Sequence, residues 1–271
     1  MASESDTWRT AIAEVREDDV LVRGYRLSEL VGSVSYSESV FLVLVGELPT
    51  SAQAKMLDAV LVSLIEHGIS PSSIIARTLA SCGTPLQASV AGALLSIADW
   101  HGGSCEQLAQ LMAPAVAIAR AASDREAELR SQAAAIVRLS RVQHQRLEGF
   151  GHPQHTGGDP RAGMLIRLAE QLGVDGDHVR LLRYLESSIE AELGRPLAAN
   201  VTGALAAILL DLGIPTNAVR GVVIAARAPG LAAHVTEELD QAGRWRHASA
   251  SAVTYTGPTA RSVQSAAHRN S

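Results

Sequence analysis

The residues best suited to chemistry gather in one glycine-rich segment, Glu148–Ala162. Its four glycines permit tight backbone turns and close approach of a ligand, and its two prolines stiffen the loop. The pair Asp159–Pro160 predicts the start of a helix, because aspartate is a favoured cap and proline a favoured first residue. Arg161 then lies in the first helical turn. We expect His152, His155 and Arg161 to face an anion there, together with free backbone N–H groups.

Three histidines each stand next to a glycine at a predicted helix end: His67, His101 and His152. A neutral imidazole can hold a carbonyl oxygen, and an imidazolium can hold a carboxylate or donate a proton. Each histidine, taken alone, is equally explained as a helix cap or as a hydrogen-bonded core group. Together with Arg161 they favour a shared site, although spacing in the sequence does not prove that they converge.

The composition favours packed helices and excludes several classes of protein. Of the 271 residues, 47% are hydrophobic and only 3% are aromatic, so alanine, leucine and valine must supply the core. The net charge of −5 gives no reason to expect nucleic-acid binding, and the two cysteines fit a reducing compartment. The start of the chain is polar, unlike a signal peptide, and no apolar run is long enough for a bilayer. We therefore expect a cytoplasmic protein without a membrane span, a metal site or a Walker A loop.

Apolar residues at helical spacing predict about a dozen helices and almost no strand. A short amphipathic helix is predicted over Thr7–Val15 and a brief strand over Val20–Val22. Ser35 and Glu38 form a capping-box pattern ahead of the apolar run Val40–Val45, which predicts a helix that ends near Gly46. The helix over 85–99 is apolar almost all round, which predicts burial in a core or a subunit interface. Further helices are predicted over 51–67, 71–82, 104–123, 124–147, 161–172, 177–193, 200–212, 215–228 and 231–241.

Six short motifs occur in one order along most of the chain, and with them the sequence resembles the citrate synthase superfamily, in particular its short citryl-CoA lyase-like members. The resemblance runs from Val22 to about Tyr255. The motifs are Arg-Gly-Tyr-Arg from 23, Gly-Glu-Leu-Pro-Thr from 46, Glu-His-Gly from 66, His-Gly-Gly from 101, Gly-Phe-Gly-His-Pro-Gln-His from 149 with Asp-Pro-Arg from 159, and Ala-Arg-Ala-Pro-Gly-Leu-Ala-Ala-His from 226.

This resemblance implies an all-α, citrate synthase-like fold with two domains. The large helical domain would comprise 1–103 and 199–271, and the smaller helical domain, 104–198, would be inserted into it. The active site would lie in the cleft between them. The resemblance also implies a homodimer with the helices at 71–82 and 85–99 packed across the two-fold axis.

The chemistry implied by the resemblance joins or splits a coenzyme A thioester and a 2-oxo acid. His101 would hold the thioester oxygen while an enol forms. His67 and His152 would hold the oxo acid, with His152 donating to its carbonyl oxygen. Arg161 and Arg227 would bind carboxylates, a task that suits the bidentate guanidinium group.

The remaining contacts implied by the resemblance involve the carrier and a further arginine. The loop with Gly149, Phe150, Gly151 and His155 would touch the coenzyme A chain through its backbone. Arg244 and Arg246 both lie where such proteins often place another substrate-binding arginine, and Arg246 is the residue that we expect in that role. The expected ligands are an acyl-CoA and a 2-oxo acid or citrate-like acid, with no permanently bound cofactor.

One position departs from the pattern, because Thr202 stands where these enzymes have their catalytic aspartate. A hydroxyl cannot act as a base near neutral pH unless another base lies beside it. Another carboxylate could serve, for example Glu66, Asp99 or Asp211. The reaction could also need no α-proton removal, as in decarboxylation or thioester hydrolysis, or the substrate could lack that proton. The last alternative is a relative that binds coenzyme A esters or oxo acids without turnover.

Overall fold

The computed structural model describes residues 8–151, 159–241 and 244–262, which form eleven α-helices and one small antiparallel sheet. The prediction of an all-α protein is confirmed. The helices are α1 (Leu27–Leu30), α2 (Tyr36–Val45), α3 (Ser51–Leu64), α4 (Pro71–Ser81), α5 (Leu86–Leu94), α6 (Ser104–Ala121), α7 (Arg125–Val142), α8 (Pro160–Leu172), α9 (Asp177–Leu193), α10 (Val201–Asp211) and α11 (Val219–Asp240). Short 3₁₀ turns cover Thr216–Ala218 and Ala250–Ala252.

The sheet occupies the start of the described chain, where the prediction of a helix over Thr7–Val15 is wrong. Strand β1 (Ala13–Val15) pairs with β2 (Val20–Val22), which pairs with β3 (Tyr25–Arg26). The predicted strand at Val20–Val22 is confirmed. A helix shorter than about 12 residues is marginal in water, whereas the pairing of β1 with β2 satisfies the backbone groups of both strands.

Local capping signals place most helix ends as predicted. Ser35 and Glu38 form the expected reciprocal capping box at α2, and Asp159 caps α8 with proline as the first helical residue. Three helices, α3, α5 and α7, end three or more residues earlier than predicted, and α7 ends at Val142. Helix α3 ends at Leu64 and α5 at Leu94, so His67 and His101 lie in the turns that follow and not in the last helical turn.

Helix α11 is continuous, although Pro229 predicts a break between helices at 215–228 and 231–241. A proline inside a helix removes one hydrogen bond and typically costs about 3 kcal/mol. Residues on both sides of it, Arg227 and Leu231, are buried, so packing of the whole helix outweighs the local preference. At Gly230 a Cβ atom would lie 2.1 Å from the carbonyl oxygen of Ile65, so only glycine allows α11 to cross the turn after α3.

A small cluster of buried side chains joins α4, α5 and α11, and a larger one runs from Phe41 to Ala226 and crosses both predicted domains. Helix α10 is central to the larger cluster, with eight buried residues. The division into 1–103 with 199–271 and 104–198 stays a prediction, as does the homodimer. No helix within the described ranges is long and apolar enough to cross a bilayer.

Candidate active site

One polar pocket of about 220 Å³ is lined by residues from six separate segments of the described chain. Five residues singled out from the sequence line it: His67, His101, Arg161, Thr202 and Arg227. His152 and His155 lie outside the described residues. The other described lining residues are Leu64, Gly102, Arg146, Gly151, Asp159, Asn200, Val201, Leu205 and Val223. A volume of this size suits a ligand smaller than the molecules that fill typical pockets of roughly 300–1,000 Å³.

His101 is held in the polar pocket by a buried serine. Its Nε2 atom lies 3.0 Å from the hydroxyl oxygen of Ser72, which is fully buried at the start of α4. Burial lowers the pKa of His101, and the positive charges of Arg227 and His67 lower it further. His101 is therefore neutral at neutral pH, a state in which one ring nitrogen donates and the other accepts a hydrogen bond.

Arg227 carries an unsatisfied guanidinium group into the pocket from α11. The residue is 8% exposed, and its Nη1 atom has no hydrogen-bond partner among the described residues. Burial lowers the pKa of Arg227; the charge of Glu66 raises it and that of Arg161 lowers it, and the net shift is downward. Burying such a group without a partner is costly, so this atom is suited to an anionic ligand.

Arg161 is instead paired within the chain. Its Nε and Nη2 atoms donate to the two carboxylate oxygens of Asp159 at 3.1 and 2.9 Å. The same carboxylate accepts the backbone N–H of Val201 at 3.1 Å. Burial acts to raise the pKa of Asp159, but the hydrogen bonds from Arg161 and Val201 outweigh it and the net pKa is lowered. Asp159 is thus a weak base that orients Arg161.

The start of α10 ties Thr202 to the glycine loop through Asn200. The side-chain oxygen of Asn200 accepts the N–H groups of Thr202 and Gly203, at 2.9 and 3.3 Å. Its amide nitrogen donates to the carbonyl oxygen of Gly151 at 2.8 Å. At Gly203 a Cβ atom would lie 2.5 Å from the carbonyl oxygen of Gly149. The loop and the helix therefore touch backbone to backbone beside Thr202.

None of the three carboxylates that could replace the expected catalytic base, Glu66, Asp99 and Asp211, lines the pocket. The side chain of Asp211 is only 1% exposed, and its carboxylate accepts hydrogen bonds from the N–H groups of Gly176, His178 and Val179 and from the His178 imidazole. Asp99 pairs with Arg220 at 2.7 Å. Glu66 pairs with His234 at 3.1 Å. Within the described part of the chain, Asp159 is the one carboxylate that the pocket contains.

A second, mainly apolar cavity of about 510 Å³ adjoins the polar pocket and shares Arg146 and Gly151 with it. It lies between the ends of α7 and α9, with Val137, Ile189 and Leu197 in its wall. Its charged lining residues are Arg141, Arg146 and Arg195. The Phe150 side chain is also part of this wall and is 1% exposed.

Arg246 is not among the described residues that line the polar pocket. It lies beside a cavity of about 600 Å³ between α4 and α11, together with Arg77 and His234. Its Nε and Nη2 atoms donate to Glu238 at 2.6 and 2.7 Å. Arg77 donates from Nε to Glu238 at 2.8 Å. We call Arg77, His234, Glu237, Glu238, Gln241 and Arg246 the α4–α11 cluster.

Sequence reasoning missed four residues of the site: Ser72, Arg146, Asp159 and Asn200. Asp159 was predicted only as a helix cap and Asn200 only as the first residue of a helix, and a polar residue at the start of a helix that faces a ligand is a candidate site residue. Arg146 precedes the glycine loop by three residues, so its position was a usable signal. Ser72 gave no signal, because its contact with His101 spans 29 residues.

Comparison with known proteins identifies relatives of this chain. The profile described as "Citrate synthase, C-terminal domain" matches residues 50–248. The citrate/2-methylcitrate synthase of Bacillus subtilis is 32% identical over 212 residues, which cover 76% of this chain and 53% of that protein. The chain thus spans about half the length of the curated relatives it matches.

Two solved structures show the same fold. Citryl-CoA lyase from Hydrogenobacter thermophilus superposes with a TM-score of 0.86 at 33% identity, covering 96% of this chain and 99% of that one. Citrate synthase from Thermotoga maritima superposes with a TM-score of 0.67 at 23% identity, covering 85% of this chain and 60% of that one. The first likeness extends over nearly the full length of both chains.

Proposed function

This chain belongs to the citrate synthase family, and from that premise we propose that it acts on a coenzyme A thioester whose carbon–carbon bond to a 2-oxo acid is broken or formed. The observation that carries the proposal is the unpaired Nη1 atom of Arg227 in a pocket that also contains His67, His101 and Arg161. The described lining residues bear three arginines and one aspartate, an excess of two positive charges. Such a pocket suits a di- or tricarboxylate.

The adjoining apolar cavity supports a coenzyme A ester as the second part of the ligand. A thioester at the polar pocket would place its carrier chain beyond Gly151, where the 510 Å³ cavity begins. Arg141, Arg146 and Arg195 at this cavity suit the phosphates of coenzyme A. In this arrangement the backbone around Gly149, Phe150 and Gly151 lies between the two parts of the ligand.

His101 is suited to the thioester oxygen. Because its pKa is lowered by burial and by neighbouring positive charges, it stays a neutral hydrogen-bond donor while negative charge develops on that oxygen. Ser72 fixes the ring through the Nε2 contact. Arg227, and Arg161 once oriented by Asp159, would take the carboxylates of the acid.

Thr202 leaves proton transfer at the α-carbon without a positioned base, and this slows cleavage and synthesis alike, because both directions pass through the same transition states. Synthesis requires removal of a proton from a weakly acidic carbon, and neither the Thr202 hydroxyl nor the pKa-lowered Asp159 is a good base for it. In cleavage the hydroxyl proton passes to water, the carbon–carbon bond breaks, and the resulting enolate carbon gains a proton from water. The full-length likeness to a citryl-CoA lyase is therefore the observation that favours cleavage.

A second candidate is a protein that binds the same ligands without turnover. The observation that favours it concerns Asp159, the one carboxylate of the described pocket. Asp159 is already hydrogen-bonded to Arg161 and to the Val201 N–H, so it is not available as a base. Chemistry that needs no α-proton removal, such as decarboxylation or hydrolysis of a thioester, is the remaining alternative. A screen that measures oxaloacetate formed from citryl-CoA, carbon dioxide formed from malonyl-CoA, and free thiol formed from each thioester and from acetyl-CoA with oxaloacetate separates these functions.

The decisive variant is Thr202→Asp, which we expect to accelerate exchange of acetyl-CoA methyl protons in heavy water. A positioned general base typically contributes about 10²–10⁴ in rate. Thr202→Asn, equal in size but not basic, is the matched control and should leave exchange slow. Equal exchange rates in the two variants would show that position 202 does not face the α-carbon.

A further inference from the structure

The carboxylate of Glu66 lies between the candidate ligand-binding arginine and a histidine that no step above uses. Its Oε1 atom accepts the backbone N–H of His67 at 2.7 Å and lies 3.1 Å from Nε2 of His234. The backbone N–H of Gly68 also bonds this carboxylate. The negative charge of Glu66 is close enough to Arg227 to raise the pKa of that guanidinium.

The protonation pattern of His234 follows from its partners. Its Nδ1 atom lies 3.1 Å from Nη1 of Arg77. A guanidinium group only donates hydrogen bonds, so Nδ1 must accept. The ring proton is then on Nε2 and is donated to Glu66. His234 is thereby fixed on both sides, and its side chain is only 12% exposed.

The α4–α11 cluster keeps Arg77 in position to hold His234. Arg77 donates to Glu238, Glu237 and Gln241 at 2.8, 2.8 and 2.9 Å. A buried arginine with this many partners has little freedom to rotate. Because Arg77 is held in place, its hydrogen bond to Nδ1 fixes the His234 ring. That ring in turn contacts Glu66.

We propose that His234 is a positioning residue that holds Glu66 on the His67–Gly68 turn and so leaves the guanidinium group of Arg227 available to a ligand. Without the hydrogen bond from His234, the Glu66 carboxylate would turn toward the buried, unpaired Nη1 atom of Arg227 and form an ion pair with it. Glu66 lies against the face of α11 that carries Arg227, since a Cβ atom at Gly230, three residues after Arg227 in the same helix, would lie 2.7 Å from Oε2 of Glu66. The ligand in question is a carboxylate, so this inference rests on the proposed function.

The first test needs no ligand and therefore stands apart from the proposed function. Crystal structures of His234→Ala and His234→Gln are compared with that of the unaltered protein. Glutamine can still donate to Glu66 from a position close to that of Nε2. We expect Glu66 to pair with Arg227 in His234→Ala and to keep its turn contacts in His234→Gln. If Glu66 keeps those contacts in His234→Ala and Arg227 stays unpaired, the inference is wrong.

The second test measures binding of citrate and of oxaloacetate by calorimetry. We expect His234→Ala to weaken binding about 10- to 100-fold, the range that one charge-assisted hydrogen bond supports. Adding Glu66→Gln to that variant should restore affinity, because a neutral amide does not compete for Arg227. His247→Ala, at the same cavity as His234, is the control and should bind like the unaltered protein.

The results of these tests distinguish failure of the proposed function from failure of the inference about His234. If neither acid binds to the unaltered protein, the proposed function fails while the crystal structures still decide the role of His234. If His234→Ala loses affinity and Glu66→Gln does not restore it, His234 acts on the pocket in another way and the inference is overturned. In an active enzyme the loss should appear in KM and leave kcat nearly unchanged, which general destabilisation does not produce.

Discussion

Arg77 and Arg227 are equally buried, each 8% exposed, but their surroundings differ. In the α4–α11 cluster, Arg77 has partners at all three guanidinium nitrogens. In the polar pocket, Nη1 of Arg227 has no partner among the described residues. A buried charge that the chain satisfies stabilises a particular arrangement of helices, whereas one left unsatisfied is suited to a ligand. The contrast separates a structural arginine from a binding arginine.

The largest expected effect is on stability, in Arg77→Met. Breaking a buried ion pair from one side typically costs about 3–5 kcal/mol, and we expect the lower end because Arg246 still pairs with Glu238. Loss of about 3 kcal/mol should lower the melting temperature by about 6–12 °C. Urea and thermal unfolding measure it. Arg246→Met, whose side chain is 52% exposed, is the control and should cost less.

The next effect is on binding, in Arg227→Met. We expect its unfolding free energy to stay within about 0.5 kcal/mol of the unaltered value, because the Nη1 atom leaves no hydrogen-bond partner behind among the described residues. Affinity for citrate should fall about 10- to 100-fold, as a charge-assisted hydrogen bond is lost. Calorimetry measures the affinity for citrate and thermal unfolding measures the stability, both on one preparation of the variant. Destabilisation as large as that of Arg77→Met would show that Arg227 is a structural residue after all.

The smallest effect is on the titration of His101. Burial and the charges of Arg227 and His67 lower the pKa of His101, so the imidazolium form predominates only at a pH below the ordinary histidine pKa of about 6.5. Removing the Arg227 charge in Arg227→Met should raise the pKa of His101 and let the ring protonate at higher pH. NMR titration of the ring protons follows this, with His101→Gln to assign the signal. Arg220→Met serves as the charge control, since Arg220 does not shift this pKa; an equal rise there would contradict the assignment to Arg227.

The sequence predicted the fold well, and for a clear reason. Helix starts such as Ser35 with Glu38, and Asp159 before Pro160, involve groups within one helical turn, so neighbouring residues suffice to specify them. The errors occurred where distant packing outweighs local preference. Helix α11 continues through Pro229, and β1 forms because β2 is available as a partner.

The candidate site was only partly predictable. The order of the motifs singled out His67, His101, Arg161, Thr202 and Arg227, which the structure brings to one pocket. The roles of these residues, and those of His152 and His155, stay predictions. The placement of Arg246 in the α4–α11 cluster, away from the pocket of its own chain, could not be read from its spacing.

By itself the sequence determined most of the helices, their caps and the order of the motifs, and it predicts that Thr202 takes the place of a catalytic aspartate. Only the tertiary structure decided which charges are satisfied. Arg77 and Glu238 are 161 residues apart in the chain, and Arg161 is paired with Asp159 while Arg227 is not. Whether a charged group has a partner depends on distances of a few ångströms between packed helices, and neither composition nor local periodicity contains those distances.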